Sequence, residues 1–159
     1  ISLSISHVRA EIVYIDINFI LKNSQLGKSL NNYLTKIENE NSEKYNKIEN
    51  ELIKKEKSLI AQQNILDNNE FQKKLKILSN EVQKFRSDKK KSIENFKEIR
   101  IKKTREILEI LNPIITNYVE KNSISIVVPK KNIVVGRKNL DITNQIIILL
   151  NNENKILKF

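Results

Sequence analysis

From Gln25 to Lys121 the chain reads QLGKSLNNYLTKIENENSEKYNKIENELIKKEKSLIAQQNILDNNEFQKKLKILSNEVQKFRSDKKKSIENFKEIRIKKTREILEILNPIITNYVEK. After Gly27 it contains no glycine and a single proline, Pro113. Glycine and proline are the residues that interrupt helices, so their scarcity over such a length predicts one very long helix or a pair of long helices. Apolar residues recur at alternating steps of three and four, which is a coiled-coil seam. The first limb carries Leu30, Leu34, Ile37, Asn41, Tyr45, Ile48, Leu52, Lys55, Leu59, Gln62 and Leu66, with a four-plus-four step at Asn41 that resembles a stutter. The second carries Phe71, Leu75, Leu78, Val82 and Phe85, a polar gap at Lys89, and then Ile93, Phe96 and Ile99. Between the limbs lies Leu66-Asp67-Asn68-Asn69-Glu70, whose short polar side chains compete with helix by bonding nearby backbone. A bend near 66–70 folds the stretch into an antiparallel hairpin over 25–106. A limb of roughly 36 residues at about 1.5 Å each reaches roughly 55 Å, so the hairpin is expected to protrude from a small body.

The flanks supply that body, residues 11–24 and 107–159. Glu11 to Ile17 (EIVYIDI) is rich in β-branched and aromatic residues and reads as a strand. Asn18-Phe19-Ile20-Leu21 reads as a short helical turn, with Asn23-Ser24-Gln25 as the cap of the long helix. Ile107, Leu108, Ile110, Leu111, Ile114, Ile115, Tyr118 and Val119 spread over more than one stripe, so this helix end is expected to be covered on several sides. Pro113 within it predicts a kink, or a restart capped by Asn112. SISIVV at 123–128, closed by Pro129, reads as a second strand, and NIVVG at 132–136 as a third. Asp141 or Thr143 then caps a short buried helix, Ile146 to Leu150. The fold class is α+β, a small β-rich body with the helical hairpin inserted between its first and second strands. The body's strands and its Ile107–Val119 helix end carry more apolar surface than one copy covers, so oligomerisation through the body is expected. The residues that carry it are Ile107, Leu108, Ile110, Leu111, Ile114, Ile115, Val127 and Val134.

The 159 residues carry a formal net charge of +10, with 30% charged and 6% aromatic side chains, which points to an acidic partner or surface. Cysteine is absent and the one histidine is His7, so no disulfide framework, thiolate metal site or nucleophile with adjacent imidazole base is available. Neither a catalytic residue nor a cofactor is expected. Leu26-Gly27-Lys28-Ser29 ends like a phosphate-binding loop but has Lys22 where that loop needs glycine, and it reads as the start of a helix. Ahead of the first strand, Val8 and Ala10 stand at the minus-three and minus-one positions of a signal-peptidase site, so residues 1–10 are expected to be the end of a signal peptide cleaved after Ala10.

Charge is divided unevenly between the limbs. Lys28 to Leu66 holds seven basic and six acidic residues, net +1, whereas Asp67 to Lys103 holds twelve and six, net +6. The first limb alternates Glu and Lys in the manner of a solvated helix. The second carries the positive field, in Lys73, Lys74 and Lys76 near the bend and in Lys84, Arg86, Lys89, Lys90 and Lys91 beside the polar gap. A field of this kind attracts acidic chains over about 8 to 10 Å at ordinary salt.

In order and spacing, IVYIDINFIL, the charged hairpin, Ile107 to Val119 with its proline, ISIVVP, NIVVG and LDIT resemble the Skp/OmpH family of periplasmic chaperones over about Glu11 to Asn151. The resemblance implies a homotrimer with three helical tentacles around a cavity. It implies an ATP-independent holdase for unfolded outer-membrane proteins, located in the periplasm. The client-binding residues expected on this reading are the eight cations named above with Phe85, Ile93 and Phe96. Contact with anionic lipid or lipopolysaccharide is a further expectation, and nucleic acid is not an expected partner. A structural coiled-coil adaptor would explain the hairpin but not its charge asymmetry, and a nucleic-acid binder would explain the charge but would favour stacking aromatics.

Overall fold

The computed structural model describes residues 11–153, so His7 and the expected cleavage after Ala10 lie outside the described residues. The chain runs β1 (Glu11–Ile15), α1 (Ile17–Asn23), α2 (Gln25–Ala61), α3 (Asn68–Lys121), β2 (Ile124–Pro129) and α4 (Thr143–Asn152), with 3-10 turns at Lys130–Asn132 and Lys138–Leu140. It forms two compact units. Among the described residues, one comprises 11–32 and 102–153, and the other is Tyr33–Ile101. No described helix is long and apolar enough to cross a membrane.

In the first unit β1 and β2 pair in parallel, with Val13 opposite Val127 and Ile15 opposite Pro129. Val13 and Ile15 point into the core, and α1 starts directly after them because the Asp16 carboxylate accepts the Phe19 N–H at 2.9 Å. The strand is therefore shorter than the EIVYIDI reading, which ran it to Ile17: the same aspartate that fits a strand pattern serves better as a helix cap. Ser24 caps α2 as expected, accepting the Gly27 N–H at 3.1 Å while fully buried. Gly27 has no room for a side chain, since a Cβ there would lie 1.9 Å from the Leu21 carbonyl oxygen. The first turn of α2 is also tied to the far end of the chain, through the Gln25 N–H donated to Asn151 Oδ1 at 2.9 Å.

α3 passes through Pro113 as one helix, so of the two expected outcomes, a kink or a restart capped by Asn112, the restart does not occur. Thr116 Oγ1 donates to the Asn112 carbonyl at 3.1 Å in the affected turn. Ile107, Leu111 and Ile114 fall on one face of α3 and are buried with Ile20, Leu26, Leu30, Ile124, Ile142, Ile146 and Leu150. The helix ends at Lys121, and Ser123 takes the left-handed conformation, φ 52°, that turns the chain into β2. α4, expected as a short buried helix, buries one face, Thr143, Ile146 and Leu150, and leaves Ile148 exposed.

The expected third strand, NIVVG, is not a strand. Strands need a neighbouring backbone, and Val134 is 98% exposed while the free edge of β1 is taken further along, where Tyr14 bridges Asp141 and its carbonyl accepts the Ile142 N–H at 3.0 Å. The described body is thus a small helical unit around two strands rather than a β-rich one.

Asp141 closes the base of this loop. Its carboxylate accepts from Lys130 Nζ at 2.9 Å and from both the backbone N–H and the hydroxyl of Thr143, whose oxygen in turn accepts the Asp16 N–H at 2.9 Å. Partial burial pushes the Asp141 pKa up, but the hydrogen bonds from Thr143 and Lys130 outweigh it and leave the pKa below the ordinary carboxylate value. A depressed folded pKa contributes stability that is complete above the unfolded value, near 3.8, and is lost as pH falls through the folded one. Asp141→Asn is therefore expected to destabilise the protein at pH 7 by about 1–2 kcal/mol, and to lose less stability than the parent on acidification below pH 4. Urea midpoints at both pH values check this.

Candidate functional site

The unit Tyr33–Ile101 is an antiparallel helical pair. The chain turns through Gln62 to Asp67, and Asp67 Oδ1 accepts the Asn69 N–H at 3.0 Å, capping α3 by the kind of bond its sequence suggested. Cross-limb contacts step in opposite directions along the two helices: Lys74 to Gln62 at 3.4 Å, Lys55 to Glu81 at 2.7 Å, Lys89 to Glu49 at 3.3 Å, and Tyr45 Oη donating to the Asp88 carbonyl at 3.0 Å. Tyr45 is buried and meets Phe85 with ring centroids 6.1 Å apart. The Lys44 and Lys89 ammoniums each lie 5.3 Å from an aromatic centroid, Tyr45 and Phe85 respectively. This cluster is the middle of the hairpin's packing.

Two helices can bury only the strip between them, and the seam is accordingly mostly half-buried. Ile60, Ile65 and Ile77 remain exposed toward the bend. Shallow apolar grooves follow the seam, one of about 530 Å³ beside Arg86, Phe85 and Val82 and one of about 300 Å³ between Leu59 and Leu78.

The eight cations expected to bind clients fall into two sets. Lys74, Lys84, Lys89 and Lys90 pair with Glu70, Asp88, Glu49 and Glu94. The Lys84–Asp88 contact, 2.6 Å, raises the lysine pKa and lowers that of the aspartate, chiefly by their mutual hydrogen bond. Lys73, Lys76, Arg86 and Lys91 have no such ion pair among the described residues, although Lys91 acts at longer range on Asp88.

The polar gap lies differently from the sequence reading. Continuing the three-and-four steps from Phe85 through Lys89 brings Ser92, Phe96 and Ile99 inward, while Ile93 is displaced to the edge and is 51% exposed. Ile93 does not continue the seam, because apolar character drew the sequence assignment one residue past the position that the helix repeat selects. The stutter at Asn41 and the gap at Lys89–Ser92 are one feature, since both sets of residues line a single groove of about 410 Å³ together with Tyr45, Ile93 and Phe96. The signal present in the sequence was the small polar Ser92 in register with Lys89.

The residues expected to carry oligomerisation lie in the other unit. Ile107, Leu111 and Ile114 are in its own core, Leu108, Ile110, Ile115 and Val127 are half-buried, and Val134 projects from the loop after β2. Among the described residues no group of histidine and carboxylate side chains is arranged to hold a metal ion.

A family model described as outer membrane protein (OmpH-like) matches residues 11–150. Among solved structures, an OmpH-like protein of Caulobacter crescentus CB15, described as a candidate outer membrane chaperone, superposes with a TM-score of 0.86. That match covers 100% of this chain and 94% of the other at 14% identity, a likeness of fold. No curated protein matches the sequence.

The Tyr45 hydroxyl pins its aromatic ring to the opposite limb through the Asp88 carbonyl. Tyr45→Phe keeps the ring and removes the bond to the Asp88 carbonyl, and is expected to cost about 0.5–1.5 kcal/mol. Faster amide exchange confined to the helical turns around Tyr45 and Asp88, with the body's exchange unchanged, is the measurement that checks it.

Proposed function

This chain belongs to the OmpH-like family of outer membrane proteins, and from that premise we propose that it is an ATP-independent holdase that keeps unfolded outer-membrane proteins from aggregating in the periplasm. The observation that carries the reading is the second limb of the hairpin. It combines cations that make no direct ion pair, Lys73, Lys76, Arg86 and Lys91, with apolar side chains that a two-helix seam leaves partly open to water. Long-range attraction brings the client in, and many weak apolar contacts retain it without a single deep site. Anionic lipid or lipopolysaccharide would meet the same cations. Stacking recognition of nucleic acid finds no support here, since Tyr45 and Phe85 are packed against each other.

The working particle on this reading is a homotrimer assembled through the body. Support comes from the exposed apolar side chains there: Ile12 and Ile126, which face each other across β1 and β2 and are each about half exposed, and Val134 and Val135, which are almost fully so. Because Val134 touches little in its own chain, Val134→Asp is expected to leave the helical content intact while shifting the native mass from three copies toward one. Light scattering of both proteins reads this directly, and an unchanged trimer would move the assembly surface elsewhere.

The holding activity is tested by diluting a urea-unfolded outer-membrane β-barrel protein into buffer with and without this protein, in the absence of nucleotide. Turbidity should be suppressed at a stoichiometric ratio. Replacing Lys73, Lys76, Arg86 and Lys91 together by Glu is expected to slow client capture about tenfold at low salt and to flatten its dependence on ionic strength. Stopped-flow rates that are equal for both proteins at every salt concentration would remove these cations from capture.

A further inference from the structure

We propose that Tyr14 and Gly136 are positioning residues of the body's assembly surface: they hold the loop 130–141 in one form, so that Val134 and Val135 meet a second copy already ordered. The identity of the partner rests on assembly through the body, and what is added is the pair of residues that prepares the contact. Val134 and Val135 are almost fully exposed and contribute nothing to the core of their own chain. The segment that carries them is nevertheless tied down on both sides.

Ahead of the valines, the 3-10 turn at Lys130–Asn132 is closed by the Ile133 N–H, donated to the Lys130 carbonyl at 3.0 Å, and the Lys130 ammonium reaches Asp141 at 2.9 Å. Behind them, the turn at Lys138–Leu140 is closed by the Leu140 N–H, donated to the Arg137 carbonyl at 3.0 Å. Tyr14 serves both flanks. Its hydroxyl donates to the Arg137 carbonyl at 3.3 Å, its ring centroid is 6.0 Å from the Lys130 ammonium, and its own carbonyl accepts the Ile142 N–H at 3.0 Å. Gly136 lets the loop come down on that ring. A Cβ at 136 would lie 2.9 Å from Tyr14 Cε1 and 3.3 Å from Ile133 Cγ2, tighter than ordinary van der Waals contact. The Gly136 φ is not positive, so close approach, and not backbone freedom, is what the glycine supplies.

These ties bury neither valine; they fix the backbone beneath them. Ordering a loop and its side chains opposes association, so a loop ordered beforehand binds more tightly for the same contacts. The place where the loop rests points to a second copy. Ile12 and Tyr14 fall on one face of β1, with Ile126 and Val128 opposite them on β2. The loop covers that face at Tyr14 and leaves Ile12 and Ile126 about half exposed, so the valines continue the apolar surface through which the body assembles. A fixed backbone also favours a partner of fixed shape, which a fluid lipid surface is not.

Two measurements decide. In Val134→Asp, the variant expected to be monomeric, nitrogen relaxation should show 132–136 as ordered as the helices, with backbone order parameters of about 0.85. Values below about 0.6 mean that only a partner orders the loop, and they overturn the proposal. Adding Gly136→Ala should lower the order of that stretch while the helical content and urea midpoint of this monomer stay the same. In the otherwise unaltered protein, Gly136→Ala should weaken each contact between copies about tenfold, equivalent to about 1.4 kcal/mol. Three identical contacts multiply, so the dissociation constant of the trimer, read by analytical ultracentrifugation over a dilution series, should rise about a thousandfold. Tyr14→Phe removes only the bond to Arg137 and should act in the same direction, by about twofold per contact. A constant unchanged by Gly136→Ala overturns the proposal and leaves assembly through the body standing. If Val134→Asp is still a trimer, the assembly reading itself fails, and the partner named here fails with it. Lys131, Arg137 and Lys138 flank the valines, so anionic phospholipid vesicles are the competing occupant. Valine methyl shifts at 134 and 135 with such vesicles, in a protein that forms no oligomer at any concentration, would overturn the proposal and reassign the loop to lipid.

Discussion

The parallel pairing of β1 with β2 is the constraint on which the rest of the chain depends. Antiparallel neighbours can be joined by a two-residue turn, but parallel neighbours require the chain to travel the length of the strand and return. Here the whole of residues 16–123 serves as that crossover. In this chain the crossover carries α1, α2 and α3 in succession, α2 leading away from the strands and the longer α3 leading back to them. The two strands are short, and what makes their pairing hold is the apolar stripe of α3, Ile107, Leu111 and Ile114, buried in the same unit as Val13, Ile15 and the inner face of α4.

The hairpin lives under a different balance. Isolated helices gain most of their stability from packing an apolar face, and a pair of helices offers each only one narrow strip. Its stability therefore draws on polar supplements: the Asp67 cap, the Tyr45 bond to the opposite backbone and the two cross-limb ion pairs. Apolar side chains left half open are the unavoidable result.

Charge arrangement adds direction to that surface. About half of the expected client-binding cations are spent on carboxylates of the same chain, so net charge by limb overstates some positions and understates others. Lys89, one of the cluster beside the polar gap, is paired with Glu49, whereas Lys91 two residues on is in no such pair among the described residues. Pairing across a seam depends on which residues the second helix brings opposite, and that information is absent from the order of residues along the first.

Much of the architecture follows from local rules that a linear sequence carries in full. The scarcity of glycine and proline pointed to the two long helices, the three-and-four spacing to most of their shared face, Ser24 to a helix start and Asp67 to the bend, because caps and turns are made by residues three or fewer apart. What failed were readings that depended on a partner distant in the chain. NIVVG has the composition of a strand, but the edge of β1 it would need is occupied by Asp141, and a strand without a neighbour is not a strand. Pro113 allowed a kink or a restart, and the restart is absent because the helix runs on, with Leu111 and Ile114 packed on either side of the proline. The groove shared by Asn41 and Ser92 was legible only as two separate irregularities, because the periodicity of each limb is a property of that limb alone. Their coincidence is set by the register of one helix against the other, which the turn at 62–67 and the packing of Tyr45 on Phe85 decide together.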